Sequence, residues 1–534
     1  MAEPAKKIST IPSARPKKKT NDSELLDALR THRSGELIFG LIGYAGSGTS
    51  FVSTKLNAKL ESFGFTPHII KARSCLDEYA KSNSKAIPDD SGGQIQKVIA
   101  YQNLGDQLRE SSEECGAVVA YMIKRVKELR ADNREKENSF IFDSLKHPAE
   151  VHLLRHIYGE NFCLIGVGCR PDVRRVRLAR KFGIALDGKS KAVDELDEFI
   201  NRDAEDSDND FGQHVSDTFH LSDYFIDNTP ADQDTERFVL PDNLIRLLDI
   251  LCDGKIHRPK NEERGLYHAH AASLRSSCLS RQVGASIMDA GGNLLSVGTN
   301  DVPRFGGGLY TDLDGKDDDR CFKKRECCSN SIHQLNLIKS IFLELGPDKG
   351  KFLRDDVEFD DFCAQIKNTR IKSLIEFSRS VHAEMDALLA LIRQGIKLPK
   401  GSILYTTTYP CHNCARHIVA AGIEKVVYLE PYSKSMAIDL HDDSIADNLS
   451  VEESTNKVVF IPYQGVSPRL YKTIFSKSGD LKDKNSGRIL SGKQISRPGI
   501  GLLTKTFKEF EDQVTDFIDS KIGGGDKDED KKSQ

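Results

Sequence analysis

The sequence predicts an α/β protein built as two folded domains, and three observations carry that expectation. Between Glu36 and about residue 252, apolar runs of strand length alternate with segments whose apolar residues recur at helical spacing. Such alternation calls for a parallel sheet covered by helices on both faces. After a polar stretch from Asp253 to Pro259, a second and different series of helices and strands begins. The chain has 534 residues, enough for two to four domains at roughly 100–200 residues each. The expected organisation is a disordered basic tail over 1–30, a first domain over 31–255, a second over 256–475 with an insertion at 304–361, and an extension with a disordered tail over 476–534.

The elements follow in order. Leu37-Ile38-Phe39-Gly40-Leu41-Ile42 is a continuous apolar run, and after a glycine-rich stretch come Phe51, Val52, Leu56 and Leu60 at helical spacing, which reads as strand, loop and helix. Further strands are expected at 68–70, 140–142, 163–167 and 224–226, with helices at 117–129 and 150–157 between them. In the second domain a helix is expected over 265–280, then strands over 283–288 and 294–297 joined by the Gly291-Gly292-Asn293 turn. Beyond the insertion come helices 371–378 and 383–394, strand 402–406, helix 412–421 and strand 425–429.

Composition excludes several classes. Hydrophobic residues at 38% and charged residues at 29% exclude collagen-like and largely disordered chains. No apolar run approaches the roughly 18 residues of a membrane helix. Met1 to Thr20 carries six basic residues without an apolar core, so no secretory signal is read there and a cytoplasmic location is expected. Lys+Arg 76 against Asp+Glu 80 leaves a net charge of −4, which does not describe a body that coats nucleic acid. Twelve cysteines in such a chain read as reduced thiols or metal ligands.

Their spacing picks out one group. Val381-His382-Ala383-Glu384 opens one helix, and Tyr409-Pro410-Cys411-His412-Asn413-Cys414 opens another after an intervening strand, the H-x-E and P-C-x-x-C pattern of zinc nucleobase deaminases. His382, Cys411 and Cys414 supply three ligands and leave a fourth tetrahedral position for water, which separates a catalytic zinc from a structural one. Glu384, two residues beyond the histidine, reaches that water without ligating the metal and is the expected general acid and base. His412 and His417 share the second helix but stand outside this ligand set.

Residues 265–472 resemble the deoxycytidylate deaminase family, on the zinc residues and on three further segments. Residues 272–285 resemble its first helix and strand, and Val297-Gly298-Thr299-Asn300-Asp301-Val302-Pro303 resembles the loop where that family sets an Asn against the sugar hydroxyl. The resemblance implies a cytidine deaminase-like α/β/α domain, with Asn300 and Ala383 touching substrate. It also makes Tyr432, in Val427-Tyr428-Leu429-Glu430-Pro431-Tyr432, a candidate wall against the base, a strand-end aromatic being the other reading. One departure stands out: Asp386 occupies a position where many nucleotide deaminases have Asn.

The glycine-rich stretch of the first domain, Gly43-Tyr44-Ala45-Gly46-Ser47-Gly48-Thr49-Ser50, has the context of a P-loop, G-x-x-x-x-G-K-S/T, whose backbone amides cradle phosphates. Thr49 stands where the lysine belongs, which opposes phosphoryl transfer more than it opposes binding. Gly43, Gly46, Ser47, Gly48, Thr49 and Ser50 are the nucleotide-binding candidates. Asp143 ends its strand as a Walker-B acid does, and Arg170, Arg174, Arg175 and Arg177 follow a strand as phosphate-clamping arginines do in nucleotide kinases, which the domain resembles. The fold implied is a P-loop kinase-like parallel sheet used for sensing or assembly.

Together the two domains resemble bacterial antiviral deaminases that deplete dCTP and dCMP. That resemblance implies deoxycytidine nucleotides as substrates, a second nucleotide at the P-loop, a homo-oligomer, an inhibitory RNA or protein partner, and no membrane. Cys321, Cys327, Cys328 and His333 are either a second, structural zinc site or solvent-facing thiols. Two other functions stay open at this point. One is a polynucleotide cytidine deaminase, against which the absence of Trp and the Asp317-Asp318-Asp319 run speak. The other is a nucleotide-sensing regulator with a structural zinc, against which Glu384 speaks.

Overall fold

The computed structural model describes residues 36–522 except 133–136, 187, 189, 205, 207–208, 231–239, 253–256, 347–352, 354–356, 368, 370, 372–373, 432–434, 448–455, 477–481, 483–485 and 489–503. Both tails, the boundary expected near residue 255 and Tyr432 therefore lie outside the described residues.

The first sheet contains β1 (Leu37–Ile42), β2 (Thr66–Lys71), β3 (Asn138–Leu145), β4 (Phe162–Gly168) and β5 (Tyr224–Asp227), all parallel and ordered β5-β4-β1-β3-β2. Every residue of β1 is buried, which is why the central strand reads as an unbroken apolar run rather than an alternating one. Ile38, Ile42, Phe140, Phe142 and Leu164 pack on one face, and Leu37, Phe39, Leu41, Ile141, Ile165 and Val167 on the other. The intervening helices are α1 (Thr49–Ser62), α2 (Ala72–Ser82), α3 (Gln94–Ser112), α4 (Ala117–Asp132), α5 (Pro148–Tyr158), α6 (Pro171–Phe182), α7 (Lys191–Ala204), α8 (Val215–Phe219) and α9 (Leu240–Cys252). The glycine-rich loop joins the carboxyl end of β1 to α1, where open parallel sheets hold ligands. The α/β expectation is met.

The second sheet comprises β6 (Gly284–Met288), β7 (Leu294–Thr299), β8 (Ile403–Thr408), β9 (Lys425–Glu430), β10 (Ile445–Ala446) and β11 (Val458–Pro462), in the order β10-β11-β9-β8-β6-β7. β6 and β7 form an antiparallel hairpin, β6 is antiparallel to β8, and the remaining pairs are parallel. Helix α10 (Asn261–Ser273) covers one face, where the Ser286 hydroxyl donates to the Gly265 carbonyl at 2.7 Å. The insertion carries α11 (Ser329–Leu345), followed by α12 (Phe359–Lys367), and Ile338, Phe362 and Cys363 bury a small core of their own between them. Helices α13 (Ala383–Gln394) and α14 (His412–Ala421) cover the opposite face through Ala285, Ile287, Ala387, Leu404 and Ile418. The short helix α15 (Ala437–His441) packs beside α14. The domain is thus three layers, α/β/α.

Two expected helices depart from the sequence reading. The expected helix 371–378 is irregular wherever it is described, and the expected helix 265–280 stops at Ser273. The chain also returns to the first domain: β12 (Gly465–Val466) adds antiparallel to β5, and after α16 (Pro468–Phe475) helix α17 (Thr504–Ile522) packs on α4. Within that last contact Arg130 is clamped between two carboxylates, its Nε 2.8 Å from Glu36 Oε1 and its Nη1 2.5 Å from Glu511 Oε2, and the Tyr158 hydroxyl donates to Glu511 at 2.7 Å. The extension expected after residue 475 therefore includes a helix that completes the first domain.

Gly298 of β7 governs how closely α13 approaches the sheet. A Cβ there would lie 2.1 Å from the Ala383 carbonyl oxygen and 2.3 Å from the Ala387 nitrogen, both backbone atoms that cannot swing aside. Gly298→Ala must therefore push α13 outward and carry His382 and Glu384 with it. We expect destabilisation of about 1–3 kcal/mol together with loss of bound zinc, read by denaturant unfolding and metal analysis.

Candidate active site

Two helix starts build the site. His382 is the N-cap of α13, with its carbonyl accepting from the Asp386 amide at 2.9 Å, and Cys411 is the N-cap of α14, with its carbonyl accepting from the Ala415 amide at 2.9 Å. Because both residues adopt extended backbone before turning into helix, their side chains converge rather than lying along a helix face. Cys411 Sγ and Cys414 Sγ each lie 3.3 Å from His382 Nδ1. Tetrahedral ligands at about 2.0 Å for nitrogen and 2.3 Å for sulfur are separated by roughly 3.5 Å, so the donor set fits zinc in both chemistry and spacing. Among the described residues this is the one group of three His, Cys, Asp or Glu ligand atoms within 4.8 Å of one another.

Glu384 follows in the first turn of α13. It is 4% exposed, and its Oε2 lies 3.4 Å from Cys414 Sγ, so the carboxylate sits beside the ligands without being one of them. Burial pushes its carboxyl above the ordinary range, with the neighbouring Cys411 adding to the effect. A hydrogen bond couples the two thiols. The hydrogen bond from Cys414 brings Cys411 down to about 4, while the same bond and burial push Cys414 up.

A cavity of about 280 Å³ opens onto these groups. Asn300 and Ala383 are among the residues that line it. The Asn300 side chain is already engaged: Oδ1 accepts from the Val283 amide at 2.7 Å and Nδ2 donates to the Arg281 carbonyl at 2.8 Å. One lone pair and one proton of the amide remain for a ligand. Asp386, the departure noted in the sequence, faces away from the cavity and ties the layers together, accepting from the Thr299 amide at 3.2 Å and from Arg393 at 3.0 Å. His417 is spent on the Asn413 carbonyl at 2.6 Å.

Sequence reasoning missed Arg281, Arg379 and Asn330, all of which line the cavity. Arg379 donates to the Asp319 carbonyl and carboxylate, each at 2.9 Å, and so fastens the insertion to the rim of the site. Asn330, in the first turn of α11, donates to the Leu374 carbonyl at 2.9 Å. The insertion is therefore part of the cavity wall, which no local pattern signals. Cys321 and Cys328 are lining residues too, but the group Cys321, Cys327, Cys328 and His333 does not bring three ligand atoms together.

In the first domain, Gly43, Gly46, Gly48, Thr49 and Ser50 line a separate cavity of about 630 Å³. Ser47 is buried beneath the loop at 1% exposure. Gly48 caps α1 with φ +86°, a left-handed conformation, and a Cβ there would meet Asn228 Nδ2 at 2.4 Å. Of the four expected clamping arginines only Arg177 lines this cavity. Arg170 and Arg175 are paired with Asp172 and Asp197, and Arg174 lies over the Tyr44 ring.

A three-layer domain that sets one histidine, two cysteines and a buried carboxylate at the mouth of a small cavity defines a zinc-type hydrolytic deaminase. Residues 259–430 match the family described as the cytidine and deoxycytidylate deaminase zinc-binding region. The chain is 29% identical over 171 residues to the deoxycytidylate deaminase of Enterobacteria phage T4, covering 31% of this chain and 76% of that one. Among solved structures, the dCMP deaminase of cyanophage S-TIM5 in complex with dCMP and dUMP is 20% identical, with 39% of this chain and 99% of that chain covered and a TM-score of 0.22. The shikimate kinase of Bacteroides thetaiotaomicron is 16% identical, with 40% and 97% covered and a TM-score of 0.23. Residues 259–430 are thus similar to the zinc-binding region of that family, and the domain that contains them is an enzyme domain of the deaminase type. No helix among the described residues is long and apolar enough to cross a membrane.

Proposed function

We propose that the protein hydrolyses the exocyclic amine of deoxycytidine nucleotides, dCMP, dCTP or both, to give the deoxyuridine nucleotide and ammonia. The observation that carries this reading is Glu384, buried 3.4 Å from Cys414 at the wall of a cavity that His382 and Cys411 also line. Zinc bound by His382, Cys411 and Cys414 would supply Lewis acidity to a water in its fourth position. Glu384 accepts a proton from the attacking water and returns it to the ring nitrogen beside the amino-bearing carbon. A second transfer through the same carboxylate accompanies the departing amine, so one water is consumed and one ammonia released. Asn300 binds the sugar through its remaining amide valences, and the backbone of Ala383 borders the base.

The relatives named as deoxycytidylate deaminases support a deoxycytidine nucleotide as substrate. Arg281, paired with Glu430, and Arg379, paired with Asp319, place guanidinium groups at the cavity wall that an anionic substrate can share. Depletion of deoxycytidine nucleotides in antiviral defence, in the cytoplasm, by an assembly of several copies held in check by an RNA or protein inhibitor, completes the proposal.

Ammonia release from dCMP, dCTP, CMP, CTP, dAMP and a cytosine-containing oligonucleotide tests the substrate class. Turnover of dCMP or dCTP alone is expected, and turnover of the oligonucleotide alone would overturn the reading. Cys414→Ser is expected to lose zinc and all turnover, checked by metal analysis on the same sample.

A further inference from the structure

The phosphate-type loop of the first domain has Thr49 in place of a lysine, yet the structure brings a lysine to it from another strand. Lys146 follows β3, and its Nζ lies 3.5 Å from the Gly43 carbonyl and 2.7 Å from Asp203 Oδ1. Asp203, at the end of α7 and 2% exposed, accepts through Oδ2 from the Ala45 amide of the loop at 2.6 Å. A carboxylate that bridges a loop amide and an ammonium group stands where an anionic ligand of such a loop binds.

On the other side of the loop the Ser50 hydroxyl donates to Asp143 Oδ2 at 3.1 Å. A hydroxyl beside a strand-end carboxylate is the pair that holds Mg²⁺ against phosphates in P-loop proteins. A further donor on the cavity wall has no hydrogen-bond partner, Arg109 Nε, although Arg109 is only 2% exposed. Buried polar atoms left unpaired are destabilising, and a ligand that meets them removes the penalty. Lys71, Arg73, Arg177 and Lys181 line the same cavity and bias it toward anions.

We propose that Lys146 supplies the charge this loop lacks at Thr49, and that Asp203 is the internal anion displaced by the terminal phosphate of a polyphosphate ligand held there with a divalent cation. The inference goes beyond the deaminase reading and does not depend on it. It assigns opposite effects to the two halves of one ion pair. Lys146→Met removes the attractive charge, whereas Asp203→Asn removes the competitor and frees both the lysine and the loop amide.

The test is calorimetric titration of the full chain with Mg·ATP and, separately, with Mg·tripolyphosphate, in native, Lys146→Met and Asp203→Asn forms. Native protein is expected to bind at least one of them. Lys146→Met should weaken binding by about tenfold or more, the weight of one charge-assisted contact, and Asp203→Asn should tighten it. Equal affinity for the two probes assigns recognition to the phosphates alone, and tighter ATP adds the nucleoside. Mere loss of the ion pair's structural support would weaken both variants together. That result, or no binding of either probe by the native chain at millimolar concentration, would overturn the proposal.

Discussion

Glu384→Gln should lower the rate of deamination by about 10²–10⁴-fold, the range for removing a positioned general acid and base, while zinc content stays that of the native chain. Glutamine has the same shape and keeps its place beside Cys414 Sγ, which lies 3.4 Å from the native carboxylate. It cannot accept the water's proton. His382, Cys411 and Cys414 are untouched, so metal binding and the start of α13 persist. Single-turnover rates measured beside metal analysis distinguish this outcome from collapse of the site, in which zinc and activity fall together.

Glu511→Ala should destabilise the first domain by about 3–5 kcal/mol, the typical consequence of removing one partner from a buried ion pair. Glu511 is fully buried and accepts from Arg130 at 2.5 and 2.9 Å and from the Tyr158 hydroxyl at 2.7 Å. Truncation leaves the Tyr158 hydroxyl unpaired and the Arg130 charge held by Glu36 alone. Glu511→Gln retains the shape and one acceptor, so it should lose less. Both are read from the denaturant midpoint of the unfolding transition that reports on α4 and α17. Because the network lies outside the deaminase domain, zinc content should not change. A Glu511→Ala chain with native stability would show that α17 is not clamped as described.

The chemical centre was legible because it is local. His382 and Glu384 are two residues apart, Cys411 and Cys414 three apart, and each pair opens a helix whose start the apolar spacing places within a residue of the observed one. The central strands β1 and β4 were legible for the same reason, since strands covered on both faces read as near-continuous apolar runs. What escaped depends on contacts between distant segments. Arg379 acquires its role from Asp319 across 60 residues of sequence, and Asn330 reaches the cavity only because the Ile338, Phe362 and Cys363 core folds the insertion back. Helix α17 belongs to the first domain through Glu511 and Arg130, which are 381 residues apart. β12 has two residues and joins a sheet whose other strands lie more than 200 positions earlier, so no periodicity marks it. The expected helix 371–378 illustrates the reverse error. Its apolar spacing suits a helix, but Leu374 spends its carbonyl on the Asn330 and Gln334 side chains rather than on a helical amide.

The product balance with dCMP and dCTP decides whether this chain deaminates deoxycytidine nucleotides. Zinc-loaded native protein should yield one deoxyuridine nucleotide and one ammonia for each substrate consumed, at a rate proportional to zinc content and lost in Glu384→Gln. A folded, zinc-loaded chain that forms no deoxyuridine nucleotide from either substrate would contradict it.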